Sequence, residues 1–293
     1  MSGKMTLAER LFEAANLLFL AVLSFASVYP VIYVLISSVS SPDLLLQSRG
    51  FLFFPQGFQL DAYKVVFQNP NLGQAYFNTL FYVVAGTLLN VFFTSLAAYA
   101  LSRQNVMWSN PAMMLIVFTM FFSGGLIPNY LLMGELGLLN TRWAILFPGL
   151  ISTYNLIIMR TSFQGIPVSL EESARIDGAS DFTILFRIIL PLSMPVVAVM
   201  ILFYGVTHWN AWFNAFIYLR DRGLQPLQLL LREVLIQNNT DSMMTGVGSG
   251  DKMPIGETIK YAMIAVSTIP ILILYPFLQK YFVKGVMIGA VKG

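Results

Sequence analysis

SLEESARIDGASDFTILFRIILP, residues Ser169 to Pro191, concentrates charge in a chain that otherwise carries little. Glu171, Glu172, Arg175, Asp177, Asp181 and Arg187 fall inside it, with an apolar run on either side. Its local signals describe two short helices with a break between them. Ser169 followed by Glu172 has capping-box spacing, in which the hydroxyl takes an orphan amide and the carboxylate reaches back. Gly178 is the natural stop, because glycine takes the left-handed conformation after a helix without strain. Ser180 or Asp181 can cap a second helix, which Pro191 interrupts. A charged helix–glycine–helix unit between apolar spans needs an aqueous partner or a solvated face.

The chain has 293 residues, of which 57% are hydrophobic and 11% charged, against about 25% charged in soluble domains. That deficit implies several membrane spans. The formal net charge of +3 comes without a basic cluster, so nucleic acid is excluded as a partner. There is no cysteine, hence no disulfide framework, thiolate metal site or cysteine nucleophile. The single histidine, His208, excludes any site that needs two imidazoles.

Hydropathy predicts an all-α polytopic membrane protein with six transmembrane helices, at 11–37, 75–101, 111–133, 143–159, 191–219 and 258–283. The first run is too long for the apolar core of a signal peptide and reads as an uncleaved span. Gly124, Gly125 and Pro128 predict a broken or frayed C-terminal half in the third span, tolerated where neighbouring protein re-satisfies the backbone. The segment 160–190 joins spans four and five. With no internal repeat and no separable soluble part, residues 1–293 read as one membrane domain. Six spans put both termini and segment 160–190 on one side. Charge leans only mildly to a cytoplasmic placement, with nine of the 17 Lys and Arg residues on that side.

The spans hold almost no ionisable residue away from their ends, which argues against a proton pump or voltage sensor. Gly246–Gly250 with Lys252 superficially evokes a phosphate loop, but no Ser or Thr follows the lysine, so no nucleotide site is expected. In span five, Asn210 and Asn214 are four apart and share a predicted helix face, with Trp209 and Phe213 as the adjacent stripe. Amides beside aromatics suit a sugar pathway, since hydroxyls take hydrogen bonds and C–H faces stack on rings. They equally suit interfacial aromatics and interhelical amide contacts. His208 reads as a hydrogen-bonded helix-contact residue, and Tyr82, Asn90, Tyr154 and Asn155 carry the same ambiguity as the pathway residues. An intramembrane enzyme would lack parts: there is no nucleophile with a base and no carboxylate pair at membrane depth.

Glu172-Ser173-Ala174, three further residues to Gly178, nine more, then Ile188-Ile189-Leu190-Pro191 resembles the EAA loop of ABC-importer permeases. Ser173 replaces an alanine of that signature and keeps a small side chain. Trp209-Asn210 is similar to the carbohydrate-uptake, maltose-transporter-like branch. Phe121–Pro128 and the C-terminal run Phe282–Gly293 resemble its aldouronate and alginate subgroup. The likeness covers nearly the whole chain. It implies a coupling helix seated in a cytoplasmic ATPase, with Glu171, Glu172, Ala174, Asp177, Gly178, Leu190 and Pro191 as coupling residues. Among them, Glu172 would make the contact, Ala174 permit close approach, Gly178 set the angle and Leu190-Pro191 join span five. Trp209, Asn210, Phe213 and Asn214 would lie in the substrate pathway. The likeness further implies a multi-pass subunit of the bacterial cytoplasmic membrane with both termini inside. Its partners would be a second permease in a heterodimer, two ATPase subunits that bind ATP and Mg, an extracytoplasmic solute-binding protein, membrane lipid and an oligosaccharide. Alternating access would be the mechanism, with no cofactor or catalysis in this chain. The alternative is the same architecture with peptide or other non-sugar cargo.

Overall fold

The computed structural model describes residues 6–48, 50–103, 105–236, 256–273 and 276, and the fold is helical throughout these segments. The glycine-rich run at 246–250 and the C-terminal run 282–293 lie outside them. In chain order the helices are α1 (Leu7–Ser38), α2 (Pro42–Gln47), α3 (Asp61–Gln68), α4 (Pro70–Ser102), α5 (Ser109–Phe118), α6 (Leu126–Glu135), α7 (Trp143–Leu146) and α8 (Thr153–Gln164). There follow α9 (Val168–Ile176), α10 (Asp181–Ile184), a π-turn (Leu185–Ile189), α11 (Leu190–Leu192), α12 (Met194–Trp209), α13 (Phe213–Tyr218), α14 (Leu227–Ile236) and α15 (Gly256–Ile273). The only β pairing among the described residues is an isolated bridge between Ser40 and Phe58. The chain forms two compact units, Met1–Asn69 with Glu233–Ile269, and Pro70–Arg232 with Pro270–Gly293.

In the first unit, α1 opens with a capping box: Glu9 N–H donates to Thr6 Oγ1 at 3.3 Å and Thr6 N–H to Glu9 Oε2 at 2.7 Å. The segment after α1, between the first two expected spans, carries α2 and α3. The Tyr63 hydroxyl on α3 meets Ser38 Oγ at 2.8 Å.

In the second unit, α4 is the axis. Its inward stripe is small or polar: Ala75, Asn78, Thr79, Tyr82, Gly86, Asn90, Thr94, Ala98 and Ser102 are buried at spacings of three and four. Phe77, Leu80, Val84 and Leu88 on other faces are exposed. Small residues let backbones approach where no hydrophobic force pulls helices together in lipid. Against the stripe pack α8 and α12. One apolar core joins Ala98, Met159, Phe163, Ile184, Ile189 and Met200. A second joins Tyr82, Ile145, Leu146, Ala215 and Leu229.

Three described helices are long and apolar enough to cross a membrane unbroken: α1, α4 and α15. Asp181–Leu192 and Met194–Trp209 form a fourth such stretch, bent by 88°. Where third and fourth spans were expected, the chain is broken. The third comprises α5 and α6 on either side of 119–125, with Gly125 at φ +85°. The break is thus central, and Pro128 sits inside the first turn of α6, where its missing N–H costs nothing. The fourth comprises α7 and α8, parted at Pro148-Gly149, with Gly149 at φ +80°. Neighbours re-satisfy this gap. Asn90 Nδ2 donates to the Gly149 and Leu150 carbonyls at 3.0 and 2.7 Å, and Ser152 N–H donates to the Tyr204 hydroxyl at 3.0 Å.

Candidate functional site

The first helix of the charged stretch starts before Ser169. Pro167 occupies the N-cap of α9 and makes no side-chain capping bond, so the expected Ser169–Glu172 box is not formed. Pro167 is the reason: its fixed φ suits helix entry, and the chain turns helical at Val168. The end of α9 is as expected. Gly178 takes φ +80°, its N–H reaches the Arg175 carbonyl at 3.0 Å, and Ala179 N–H reaches Ala174 at 2.9 Å. This is the Schellman pair, which satisfies two orphan carbonyls. Ser180 then caps α10, accepting from Thr183 N–H at 3.4 Å. Pro191 does not end that helix. The preceding π-turn, with Leu190 N–H on the Leu185 carbonyl, absorbs the bond that proline cannot make. The bend comes at Ser193, between α11 and α12.

The carboxylates of α9 face opposite ways. Glu171 is buried, whereas Glu172 and Asp177 are exposed. Arg103, just past the end of α4, donates Nη1 to Glu171 Oε2 and Nη2 to the Phe163 carbonyl at 3.0 Å. Arg175 Nη2 reaches Glu171 Oε1 at 2.9 Å and Asp181 Oδ1 at 2.6 Å. The Tyr99 hydroxyl lies 3.4 Å from each of those two carboxylate oxygens. Burial alone would raise the Glu171 carboxyl, but hydrogen bonds from Arg175 and Arg103 outweigh it and hold the group below the usual carboxylate range. Ala174 packs against the adjoining core, as does Leu190, while Pro191 is exposed. The helix is therefore tied inward by Glu171 and presents Glu172 outward. Arg103 was missed as a site residue because its partner lies far along the chain. Its only sequence signal is to be a lone cation in a short connection.

The second feature is a cavity of about 920 Å³ between α4, α8 and α12, reached also by the segment after α7 and by Ile271 and Leu272. Its polar lining includes Asn90, Ser152, Asn155, His208, Asn210 and Asn214. No Lys or Arg lines it among the described residues. Asn90 spends both amide hydrogens on the Gly149 and Leu150 carbonyls, so its Oδ1 faces His208, and His208 Nε2 donates to it at 2.6 Å. His208 is thus the helix-contact residue expected. Gly86 makes this possible: a Cβ there would lie 2.4 Å from His208 Nε2.

Asn210 and Asn214 line the cavity together but not from one helix face, which corrects the sequence reading. Asn210 is the C-cap of α12, with Nδ2 folded back on the Val206 carbonyl at 3.0 Å. Such local bonding competes with helix propagation and ends α12 there, leaving Asn214 to α13. Trp209 is turned away and lines an apolar cavity with Leu88 and Ile201. Phe213 is half exposed and meets Trp212 edge-on at 5.5 Å.

Residues 83–288 match the family described as binding-protein-dependent transport system inner membrane component. This chain belongs to that family. It is accordingly a membrane permease subunit of an importer rather than an enzyme. Two relatives come from Bacillus subtilis (strain 168). The polygalacturonan/rhamnogalacturonan transport system permease protein YtcP is 43% identical, over 97% of this chain and 99% of its own. Protein LplC is 43% identical, over 98% and 97%. Among solved structures, a chain of a bacterial ABC transporter involved in the import of the acidic polysaccharide alginate is similar. It superposes with a TM-score of 0.88 at 34% identity, covering 96% of this chain and all of that one.

Proposed function

We propose that this chain is one of two permease subunits, paired as a heterodimer, in an ATP-driven importer of oligosaccharides, with acidic polymers such as oligogalacturonides as the favoured class. The observation that carries the reading is the full-length relationship to a permease named for polygalacturonan and rhamnogalacturonan transport. The alginate importer chain supports it independently. In this reading residues 1–293 form a single permease domain with six spans, the broken segments α5–α6 and α7–α8 supplying the third and fourth. Both termini and the coupling loop 160–190 face the cytoplasm of a bacterium. Two ATPase subunits bind ATP and Mg, and an extracytoplasmic binding protein delivers the sugar.

The geometry supports a division of labour within the loop. Glu172 and Asp177 are available to an ATPase cleft, while Glu171, Ala174 and Leu190 hold the helix to the permease, and Gly178 sets its angle. ATP-driven closure of the ATPases would move α9, and the Glu171–Arg103 pair would pass that movement to α4 and so to the cavity. Asn155, Asn210 and Asn214 offer amides to sugar hydroxyls there. With no cation in the described lining, the charge that neutralises an acidic sugar would come from the partner permease or from outer loops.

The complete importer in liposomes tests both halves. ATP hydrolysis should rise when binding protein is added with oligogalacturonide and stay basal with oligopeptide. Stimulation by peptide alone would overturn the sugar reading. Gly178→Pro should abolish the response, and unchanged coupling in that variant would overturn the role given to the loop.

A further inference from the structure

The chain that follows α1 turns back along it. Ser41 N–H donates to the Gln56 and Gly57 carbonyls at 2.7 Å each, and Gln59 N–H donates to the Val39 carbonyl at 2.9 Å. Gln56 N–H meets Ser40 Oγ at 3.1 Å, so residues 56–59 are tied to the C-terminal end of α1. A few residues earlier, Leu52 N–H donates to the Tyr29 hydroxyl at 2.9 Å. Tyr29 lies about 14 Å down the helix from Ser38, at 1.5 Å per residue. The Phe51 ring is 5.2 Å from that of Tyr29, and the Phe53 ring is 5.9 Å from Tyr29 and 6.4 Å from Phe25. The extended stretch 51–54 therefore runs down α1 toward its apolar middle instead of away into solvent.

The outer faces of this stretch are apolar and open, with Phe51 76%, Phe53 55% and Phe54 78% exposed. They continue the exposed apolar surface of α1, a helix long and apolar enough to cross a membrane. Every residue of α1 from Leu7 to Val28 is exposed, and burial first appears at Tyr29. A hydrocarbon core takes about 20 helical residues. Counted back from Tyr29, that length reaches Arg10, the last basic residue before the apolar run.

We propose that the Phe25–Tyr29–Phe51–Phe53 cluster marks the level at which α1 leaves the hydrocarbon, and that Phe51, Phe53 and Phe54 insert into the lipid interface as an anchor. The end of α1, from about Ile32 to Ser38, then stands outside the membrane beneath its own loop. Tyr29, an amphipathic ring, favours this depth, and phenylalanines bury at the headgroup–acyl boundary. Irregular backbone there needs its polar groups satisfied, which the Tyr29 hydroxyl does for Leu52. With the proposed orientation this interface is that of the outer leaflet; the depth itself does not rest on that orientation.

The chain has no cysteine, so single labels are clean. The test uses the complete importer in nanodiscs, its partner subunits freed of cysteine, with nitroxides at Phe51→Cys and Phe54→Cys. Leu18→Cys serves as the lipid reference and Asp61→Cys as the water reference. Collision with oxygen relative to a water-soluble nickel chelate should fall between the two references, below that at Leu18 and severalfold above that at Asp61. A ratio equal to that at Asp61 would overturn the anchor. Protection from both reagents would also overturn it, by showing that another protein chain covers the surface. Phe54 is open, so its replacement should leave folding intact. The readout is independent of cargo and ATP, so its failure is distinct from failure of the sugar reading.

Discussion

The C-terminal end and the middle of the polar stripe on α4 solve the same problem with different chemistry. Just beyond Ser102 the contacts are ionic, with Arg103 and Arg175 enclosing Glu171. Midway along the helix they are neutral: Asn90 takes a hydrogen bond from His208 and gives two to the break at Gly149-Leu150. A charge is costly at bilayer depth, while a neutral amide with every group paired is not. The helix therefore uses ion pairs at its C-terminal end and amide–imidazole contacts in its middle. The ionic end resists being pulled apart, because separating its members leaves a buried charge alone. The neutral middle fixes helix spacing around a cavity.

The strongest way to break this comparison is to remove Arg103. Glu171 and Arg103 side chains are only 8% and 9% exposed. Leaving a buried pair member wholly unmatched costs about 3–5 kcal/mol; Arg175 still reaches Glu171 here, so the loss should fall below that range. Arg103→Met should loosen α9, lower the thermal stability of the purified importer and uncouple ATP hydrolysis from binding protein. The double variant Arg103→Met, Glu171→Leu should recover much of the stability, since no half-neutralised carboxylate is left buried and Arg175 keeps Asp181. No recovery would place the loss in packing instead. Acid should act in the same direction. With the folded-state carboxyl of Glu171 depressed, its contribution is present above the unfolded value of about 4.3 and is lost as pH falls through the folded one. Amide exchange in α9 should accelerate in that range and not near neutrality.

In the neutral middle, Gly86→Ala places a methyl within 2.4–2.8 Å of three His208 ring atoms. The ring must move, and overpacking of this kind costs about 1–3 kcal/mol. The expected outcome is reduced thermal stability with transport lost in proportion. A variant as stable as the wild type would show that α12 can shift relative to α4, and that the middle of the stripe does not fix helix spacing. Gly178→Ala is smaller still. Nothing lies within 4 Å of the added Cβ, so only φ +80° opposes it. The cost is about 1–2 kcal/mol, measurable as a lower melting temperature, with transport falling more than stability because the angle of α9 changes.

How legible each region was follows from how local its chemistry is. Gly178 and Ser180 act on residues within a few positions: Gly178 fell where the sequence placed it, and Ser180 is the cap of the two offered. Ser169 has the right spacing for a cap, yet Pro167 starts the helix first. Nothing in the sequence pairs Arg103 with a carboxylate 68 residues away. Pro148-Gly149 is ordinary turn chemistry, but inside an apolar run it is masked by hydropathy, and the signal that it is tolerated sits on Asn90 in another helix. The Asn210 C-cap was masked in the same way: four-residue spacing predicts a shared face only while the helix continues. Long-range satisfaction of backbone groups is what single-sequence reading lacks, and it decides both the breaks and the cavity.

The finest test separates the two neighbouring glutamates of α9. Glu171 and Glu172 are adjacent, so they point to different sides of one helical turn, and only Glu171 meets the permease's arginines. Glu172 is exposed, and replacing such a group changes stability by no more than about 0.5 kcal/mol. Glu172→Gln should therefore melt and assemble like the wild type, yet show weakened stimulation of ATP hydrolysis by loaded binding protein. Glu171→Gln should do the reverse: its melting temperature drops because Arg103 loses its counter-charge, while its outward surface is unaltered. If Glu172→Gln were silent in both measurements, contact with the ATPase would have to run through Asp177 or the backbone at the glycine corner. If instead it destabilised the isolated subunit, the division into an inward and an outward carboxylate would fail.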